Sequence, residues 1–523
     1  MLSLEEKIGQ KLMVGFQGLE PPDYLLRWLE AGKVGGIILF ARNVESPTQL
    51  ARLTTKIQSA ARYPLLIAID QEGGSVSRLR GNFTESPGAM ALGASHSPEL
   101  AEKVAHMMGV ELHSLGINWN FAPSLDMAHD RSNPSIGTRS LGSDPVWVGR
   151  MGAAQIRGFQ SAGVAATAKH FPGLGSSDVD THIDIAEIDA AVDELWEADI
   201  APFRAAIQAD VSSIMVTHVR FRALDSIYPA TLSRAVVTDL LRNRLGYTGI
   251  SITDCLEMRA ISGHFTPAET AIRTVLAGQD IALFSHTREV QEAAYDALVR
   301  AATEGDLPLD EIDASVARIM AFKQQFATPV AVQPEIVKSE AHLAIANEAA
   351  RAGVVLFRAD SNVFPLRKEV ASRTAVIEFV PHQESEAVDP GAFNSLAKLL
   401  KIRLPEIETL LLDASAPDDE VLARARIVAR EFDCIVLVTR SADLIAEQFE
   451  FAREFLWLAH RVVLVCLRNP YDVEVLAGAN TVLCTFGDTE PSVQAAADAV
   501  MGDYVPHAKL PVPIQLAVAD IPR

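Results

Sequence analysis

Residues 168–182 read AKHFPGLGSSDVDTH. Four ionisable side chains, Lys169, His170, Asp180 and His182, stand around a segment that starts as a strand end and becomes a Gly/Ser-rich loop. A D-x-H on extended backbone points both side chains to the same side. Asp180 can then hold one nitrogen of His182 and raise its basicity, leaving the other nitrogen to give or take a proton. An unpartnered loop histidine would be a solvated bystander. Here Pro172-Gly173 and the following LGSS provide hinges, so the expectation is a proton-transfer dyad on a closing loop. A second stretch, GISITDCLEM, sets Asp254 among apolar residues at a strand end, as either a structural acceptor or a nucleophile. A fixed carboxylate plus a mobile acid/base suits displacement at the anomeric carbon of a sugar. The usual acid in that scheme is a second carboxyl group, so a histidine is a variant of it.

Other groups are of types that hold a sugar. Asp70 opens DQEGGSVSRLR, and Arg78 lies eight residues on. The carboxylate accepts from adjacent hydroxyls, and the guanidinium braces it or reaches the ligand. Arg139, in NPSIGTRSLGSDP, is a ligand contact or a surface ion-pair former. Lys169 and His170 follow an apolar strand directly. A buried lysine needs a partner or a ligand, which favours ligand contact.

These residues need a scaffold that brings them together. Eight apolar runs fall in the first 330 residues: KLMVGF, VGGIILFA, PLLIAID, INWNFAP, VAATAKH, SSIMVTH, GISITD and DIALF. Helical patterns separate most of them. Strands apolar throughout and alternating with helices indicate a covered parallel sheet, and eight such units indicate a (β/α)8 barrel of the TIM type. Polar residues end five of the runs: Asp70, Asn120 (with Asp126 soon after), Lys169-His170, His218 and Asp254. In a barrel these ends share the face that carries active sites. From about residue 335 the rhythm changes to a linker, an amphipathic helix and six further runs, VVLF, TAVIEFV, TLLLDA, CIVLVT, VVLVCL and TVLCTF. The expected organisation is a catalytic barrel over 1–334, then a smaller doubly wound α/β sandwich domain over 335–523. No GxGxxG and no P-loop follows a strand, so neither a nucleotide nor any other cofactor is expected.

The 523 residues carry 46 basic and 67 acidic side chains, a net charge of −21, which disfavours a nucleic-acid partner. The four cysteines, Cys255, Cys434, Cys466 and Cys484, lack CxxC spacing and sit in or beside apolar runs. Buried free thiols are expected, with neither disulfides nor a zinc site. The N-terminal stretch has acids where a signal peptide needs a basic start. No apolar run approaches the ~20 residues of a membrane helix. A cytoplasmic protein without membrane association is the expectation.

Four segments together resemble glycoside hydrolase family 3 in its bacterial β-N-acetylhexosaminidase branch. AIDQEGGSVSRL resembles the family's D-x-E-G-G-x-V-x-R-L, and IGTRSLGSDP its R-S-[FL]-G-x-D-P. AKHFPGLGSSDVDTH resembles K-H-F-P-G-x-G followed by D-x-H, and ITDCLEM resembles [ST]-D-x-L-x-M. They occur in the family's order, and a barrel followed by an α/β layer is its two-domain arrangement. The resemblance implies an exo-acting, retaining β-N-acetylglucosaminidase that removes non-reducing terminal GlcNAc from muropeptides or chitin fragments through a glycosyl-aspartate. It implies Asp254 as nucleophile, His182 as general acid/base and Asp180 as its partner. Asp70, Arg78, Arg139, Lys169 and His170 would bind the terminal sugar. Two departures stand out. Cys255 follows Asp254 where many single-domain relatives have a second aspartate, and the second domain offers no evident catalytic residue, so a structural or rim role is expected for it. Competing readings are a phosphorylase or β-glucosidase of the same family, a metal-dependent barrel hydrolase built on His170, Asp180, His182, His218 and Asp254, and a sugar-binding protein with a decayed site.

Overall fold

A computed structural model describes residues 2–515 apart from 130, 132, 134, 176–184 and 382–392. Asp180 and His182 therefore lie outside the described residues. The eight strands of the first sheet are β1 (Leu12–Val14), β2 (Gly36–Leu39), β3 (Leu66–Ile69), β4 (Trp119–Asn120), β5 (Ala165–Phe171), β6 (Ser213–Val216), β7 (Ile250–Thr253) and β8 (Ala282–Phe284). Each pairs in parallel with its neighbour, β8 pairs with β1, and a parallel bridge between Ile252 and Ile281 closes the ring. The eight runs read from the sequence are these eight strands, and Lys169 and His170 lie within β5 rather than after it.

Apart from polar residues such as Asn120, Lys169 and His170, the strands are mainly apolar because both faces are covered. On β2, Ile38 points into the barrel, while Ile37 and Leu39 point out against Leu50, Leu53 and Ile57 of the helix Pro47–Ala60. Met13, Ala68, Trp119, Ala165, Met215, Ile252 and Leu283 join Ile38 in the interior cluster. Trp119 is the largest of these. A buried indole N–H must find an acceptor, and its Nε1 donates to Thr167 at 2.8 Å and Ser213 at 2.9 Å. Four surrounding helices start by one device. Ser46, Ser97, Asp144 and Thr266 each accept a backbone N–H of the first turn, and a proline follows at the first helical position, where its missing N–H costs nothing.

The second sheet contains β9 (Val355–Arg358), β10 (Thr374–Phe379), β11 (Glu408–Leu412), β12 (Cys434–Thr439), β13 (Val462–Cys466) and β14 (Thr481–Cys484). Its order is β9-β14-β13-β12-β10-β11, parallel except for the edge strand β9. Alternate residues of β12 serve opposite faces. Ile435 and Leu437 pack with Phe455, and Val436 and Val438 pack with Leu396 and Val500. The helix Glu340–Gly353 joins the two units, with Ala349 in the barrel's core and Ala350 in the core of the second sheet. Backbone contacts hold them together: Lys509 N–H donates to Ala94 O at 3.1 Å, and Ser143 N–H to Pro511 O at 3.2 Å. The four cysteines are buried and free.

Candidate active site

The C-terminal ends of the barrel strands open into a cavity of about 400 Å³. Asp70 follows β3, Lys169 and His170 come from β5, and Asp254 follows β7; all four line it. Arg78 reaches it from beyond a short hairpin of Gln71–Gly73 with Val76–Ser77, and Arg139 from the 3-10 turn Gly137–Arg139. Six of the eight residues expected from the sequence thus converge; the other two fall in the undescribed segment 176–184. The described lining residues all come from the barrel, between Phe40 and His286.

The inner wall is a charge network centred on a residue the sequence reading passed over, Glu72. Glu72 lies two residues after Asp70 in an extended hairpin, so both carboxylates face one side. Lys169 Nζ sits 2.7 Å from Asp70 and 2.7 Å from Glu72. Arg139 meets Glu72 through two N–H donors, at 2.9 and 2.8 Å, while Arg78 stands 3.6 Å from Asp70. Burial alone would neutralise these groups, but the opposite charges prevail. Burial works against the Glu72 carboxylate, yet Arg139 and Lys169 hold it far below the usual range. Burial likewise opposes the Lys169 ammonium, and Asp70 and Glu72 raise it above its ordinary value. Arg139 is buried rather than a surface ion-pair former.

Asp254 stands across the cavity with 21% of its side chain exposed. Its Oδ1 accepts the Cys255 N–H at 2.7 Å, and its own N–H donates to Val216 O at 3.1 Å, which ties it to β6. His170 Nε2 lies 4.0 Å from Asp254 Oδ2. The other ring nitrogen, Nδ1, is 2.6 Å from Asp126, whose side chain is fully buried. Desolvation pushes Asp126 upward, but His170 and the Leu174 N–H hold the carboxyl below its ordinary value. Cys255, beside Asp254, is pushed up to about 12 by burial and is no nucleophile there.

His218 does not join the site. It is fully buried, and its ring nitrogens meet Thr231 Oγ1 and Cys255 O, each at 2.8 Å, which steadies the backbone after Asp254. Among the described residues no group of three His, Cys, Asp or Glu side chains is arranged to hold a metal ion. The cavity's other side carries Phe40, Arg42 and His286, which no sequence pattern marked. Arg42 stacks on Phe40 at 4.2 Å, and Phe40 packs on the His286 ring at 5.4 Å.

A parallel barrel that presents a part-exposed carboxylate in one cavity with a buried array of paired charges has the equipment of a glycoside hydrolase. The comparisons give it a family. Residues 3–322 match the glycosyl hydrolase family 3 N terminal domain, and the chain belongs to that family. Beta-hexosaminidase A of Pseudoalteromonas piscicida is 35% identical over 412 residues, which cover 70% of this chain and 69% of that protein. Beta-hexosaminidase of Stenotrophomonas maltophilia (strain K279a) is 37% identical over 291 residues, 54% of this chain and 86% of that protein. The solved structure of a family 3 beta-N-acetylglucosaminidase from Paenibacillus sp. str. FPU-7 superposes with a TM-score of 0.92 at 36% identity, covering 99% of this chain and 100% of that one.

Proposed function

We propose that the chain is an exo-acting, retaining β-N-acetylglucosaminidase that removes terminal GlcNAc from cell-wall muropeptides or chitin fragments. The observation that carries this reading is the placement of Asp254 across one cavity from the Asp70–Lys169–Glu72–Arg139 network. Its likeness over nearly its whole length to a β-N-acetylglucosaminidase supports it. Asp70, Arg78, Arg139, Lys169 and His170 grip the hydroxyls of one terminal sugar. Asp254 then attacks the anomeric carbon, forming a C1–O bond to its carboxylate as the bond to the leaving oxygen breaks. His182, oriented by Asp180, gives that oxygen its proton. Water next enters at C1, returns a proton to His182 and frees Asp254. The machinery lies in residues 1–334, and residues 335–523 form the supporting unit. Four buried free thiols and a net charge of −21 support a reducing, cytoplasmic setting with no nucleic-acid partner. No helix among the described residues is long and apolar enough to cross a membrane.

The test compares initial rates on p-nitrophenyl β-N-acetylglucosaminide and p-nitrophenyl β-glucoside, with and without inorganic phosphate. A strong preference for the acetamido sugar, with free GlcNAc as product under both conditions, is expected. Equal rates would overturn the specificity, and a sugar 1-phosphate would show that phosphate, not water, accepts the glycosyl group.

A further inference from the structure

We propose that Asp126 is a positioning residue that fixes which nitrogen of His170 faces the reaction centre. Asp126 has two oxygens and makes five contacts. Oδ1 accepts the Leu174 N–H at 2.8 Å, and both oxygens lie 3.2 Å from the His170 N–H. Oδ2 also receives Ser124 Oγ at 3.1 Å and stands 2.6 Å from His170 Nδ1. An ionised carboxylate only accepts. The hydrogen between Asp126 and the ring therefore belongs to Nδ1. Nε2 is left as the nitrogen that addresses Asp254, 4.0 Å away, and any hydroxyl seated between them. The same carboxylate ties the end of β5 to Leu174, where the segment leading to residues 176–184 begins. One buried side chain thus sets both a ring's tautomer and the start of that segment.

Asparagine at this position would reverse the ring's tautomer. In Asp126→Asn, the amide oxygen must stay with the Leu174 and His170 N–H groups, because a donor facing them would leave buried N–H groups unpaired. The NH2 then occupies the place of Oδ2, against Nδ1. It forces Nδ1 to accept and moves the ring hydrogen to Nε2. The shape of the site is kept while the hydrogen on Nδ1 is lost and Nε2, facing Asp254, must carry one.

The experiment is selective 15N-histidine NMR on the whole chain, with His170→Gln used to assign the ring, alongside kcat and KM on the aryl β-N-acetylglucosaminide. The expected wild-type ring has a protonated Nδ1. The expected Asp126→Asn ring has a bare Nδ1 and a protonated Nε2, with kcat/KM reduced on the order of 100-fold or more and an unchanged unfolding temperature. The proposal is overturned if the variant keeps the wild-type tautomer or full activity. Should Asp126→Asn fail to fold, the wild-type spectrum decides alone: a bare Nδ1 refutes the proposal and a protonated one sustains it. The kinetic part rests on Asp254 as nucleophile. The tautomer does not, so activity persisting in Asp254→Asn would remove that reading and leave the NMR result standing.

Discussion

Lys169 and Glu72 meet at 2.7 Å in the wall of the barrel mouth, both side chains at most 5% exposed. Neither charge would survive there alone, since a buried ion without a partner costs several kcal/mol. Glu72 is the hinge of the arrangement because it also binds Arg139. Glu72→Gln keeps the shape and removes the carboxylate that the two cations share. The expected result is a loss of about 3–5 kcal/mol of stability and a large fall in kcat/KM, read by denaturant unfolding and by aryl glycoside hydrolysis. Wild-type stability with full activity would show that Asp70 alone compensates both cations.

Gly175 tests how tightly the chain leading into residues 176–184 is seated. A β-carbon there would lie 1.9 Å from the carbonyl oxygen of Met127, which is backbone and does not rotate away. Gly175→Ala must push the described residues 174–175 off the 126–129 stretch. With the acid/base assigned a few residues on, a displacement near 1 Å is expected to lower kcat about 100-fold, with KM changed less. Thermal unfolding checks that the barrel is intact. A kcat within twofold of wild type would mean that the segment does not carry the acid/base.

The barrel was legible in the sequence because its strands are buried on both faces and so read as unbroken apolar runs separated by helices. The site residues were legible wherever a charge ended such a run, as at Asp70, Lys169 and Asp254. Glu72 is the glutamate of the D-x-E-G-G pattern that includes Asp70, but it lies inside a hairpin and does not end an apolar run, so only the motif marks it. Asp126 stands out in the sequence as a charge soon after the fourth run, not as the partner of His170. That pairing spans 44 residues and exists only once β4 and β5 lie side by side. Phe40 and His286 come from β2 and β8 ends that carry no distinguishing pattern, and closure of the ring alone brings them together.

Asp199 gives a prediction about pH. Its side chain is 6% exposed, Oδ1 has no hydrogen-bond partner among the described residues, and His129 Nε2 stops 3.6 Å away. Burial, followed by repulsion from Asp126, pushes the carboxyl up to about 7. The unfolded chain releases this proton near pH 4, whereas the folded chain keeps it to about 7. Between those values the folded state binds more protons, so this group's contribution to stability falls as pH rises from 4 to 7 and is flat above. Asp199→Asn removes that slope. The variant is expected to gain on the order of 1 kcal/mol at pH 7.5 and little at pH 4.5, measured by urea unfolding at both values. An equal change at both pH values would refute the assignment.

Lys323 should tilt the same curve the opposite way. It lies on the helix Leu309–Phe326, is 1% exposed, and its Nζ donates to Gln10 Oε1 at 2.5 Å. Burial pushes its ammonium down to about 7, whereas in the unfolded chain it stays protonated to about 10.4. Between pH 7 and 10 the unfolded state binds the extra proton, so this group's contribution to stability rises with pH across that window. Below pH 7 the folded chain carries a buried charge held by one neutral acceptor, and the penalty is at its largest. Lys323→Met exchanges that charge for an apolar chain of similar length and leaves Gln10 Oε1 without a donor, a loss of about 1–3 kcal/mol. The two effects oppose each other, so the slope is the cleaner observable than the sign at one pH. Unfolding free energies at pH 6.5 and 9.5 should show wild type gaining on the variant as pH rises. Parallel pH curves for the two proteins would mean that Lys323 keeps its proton in the fold.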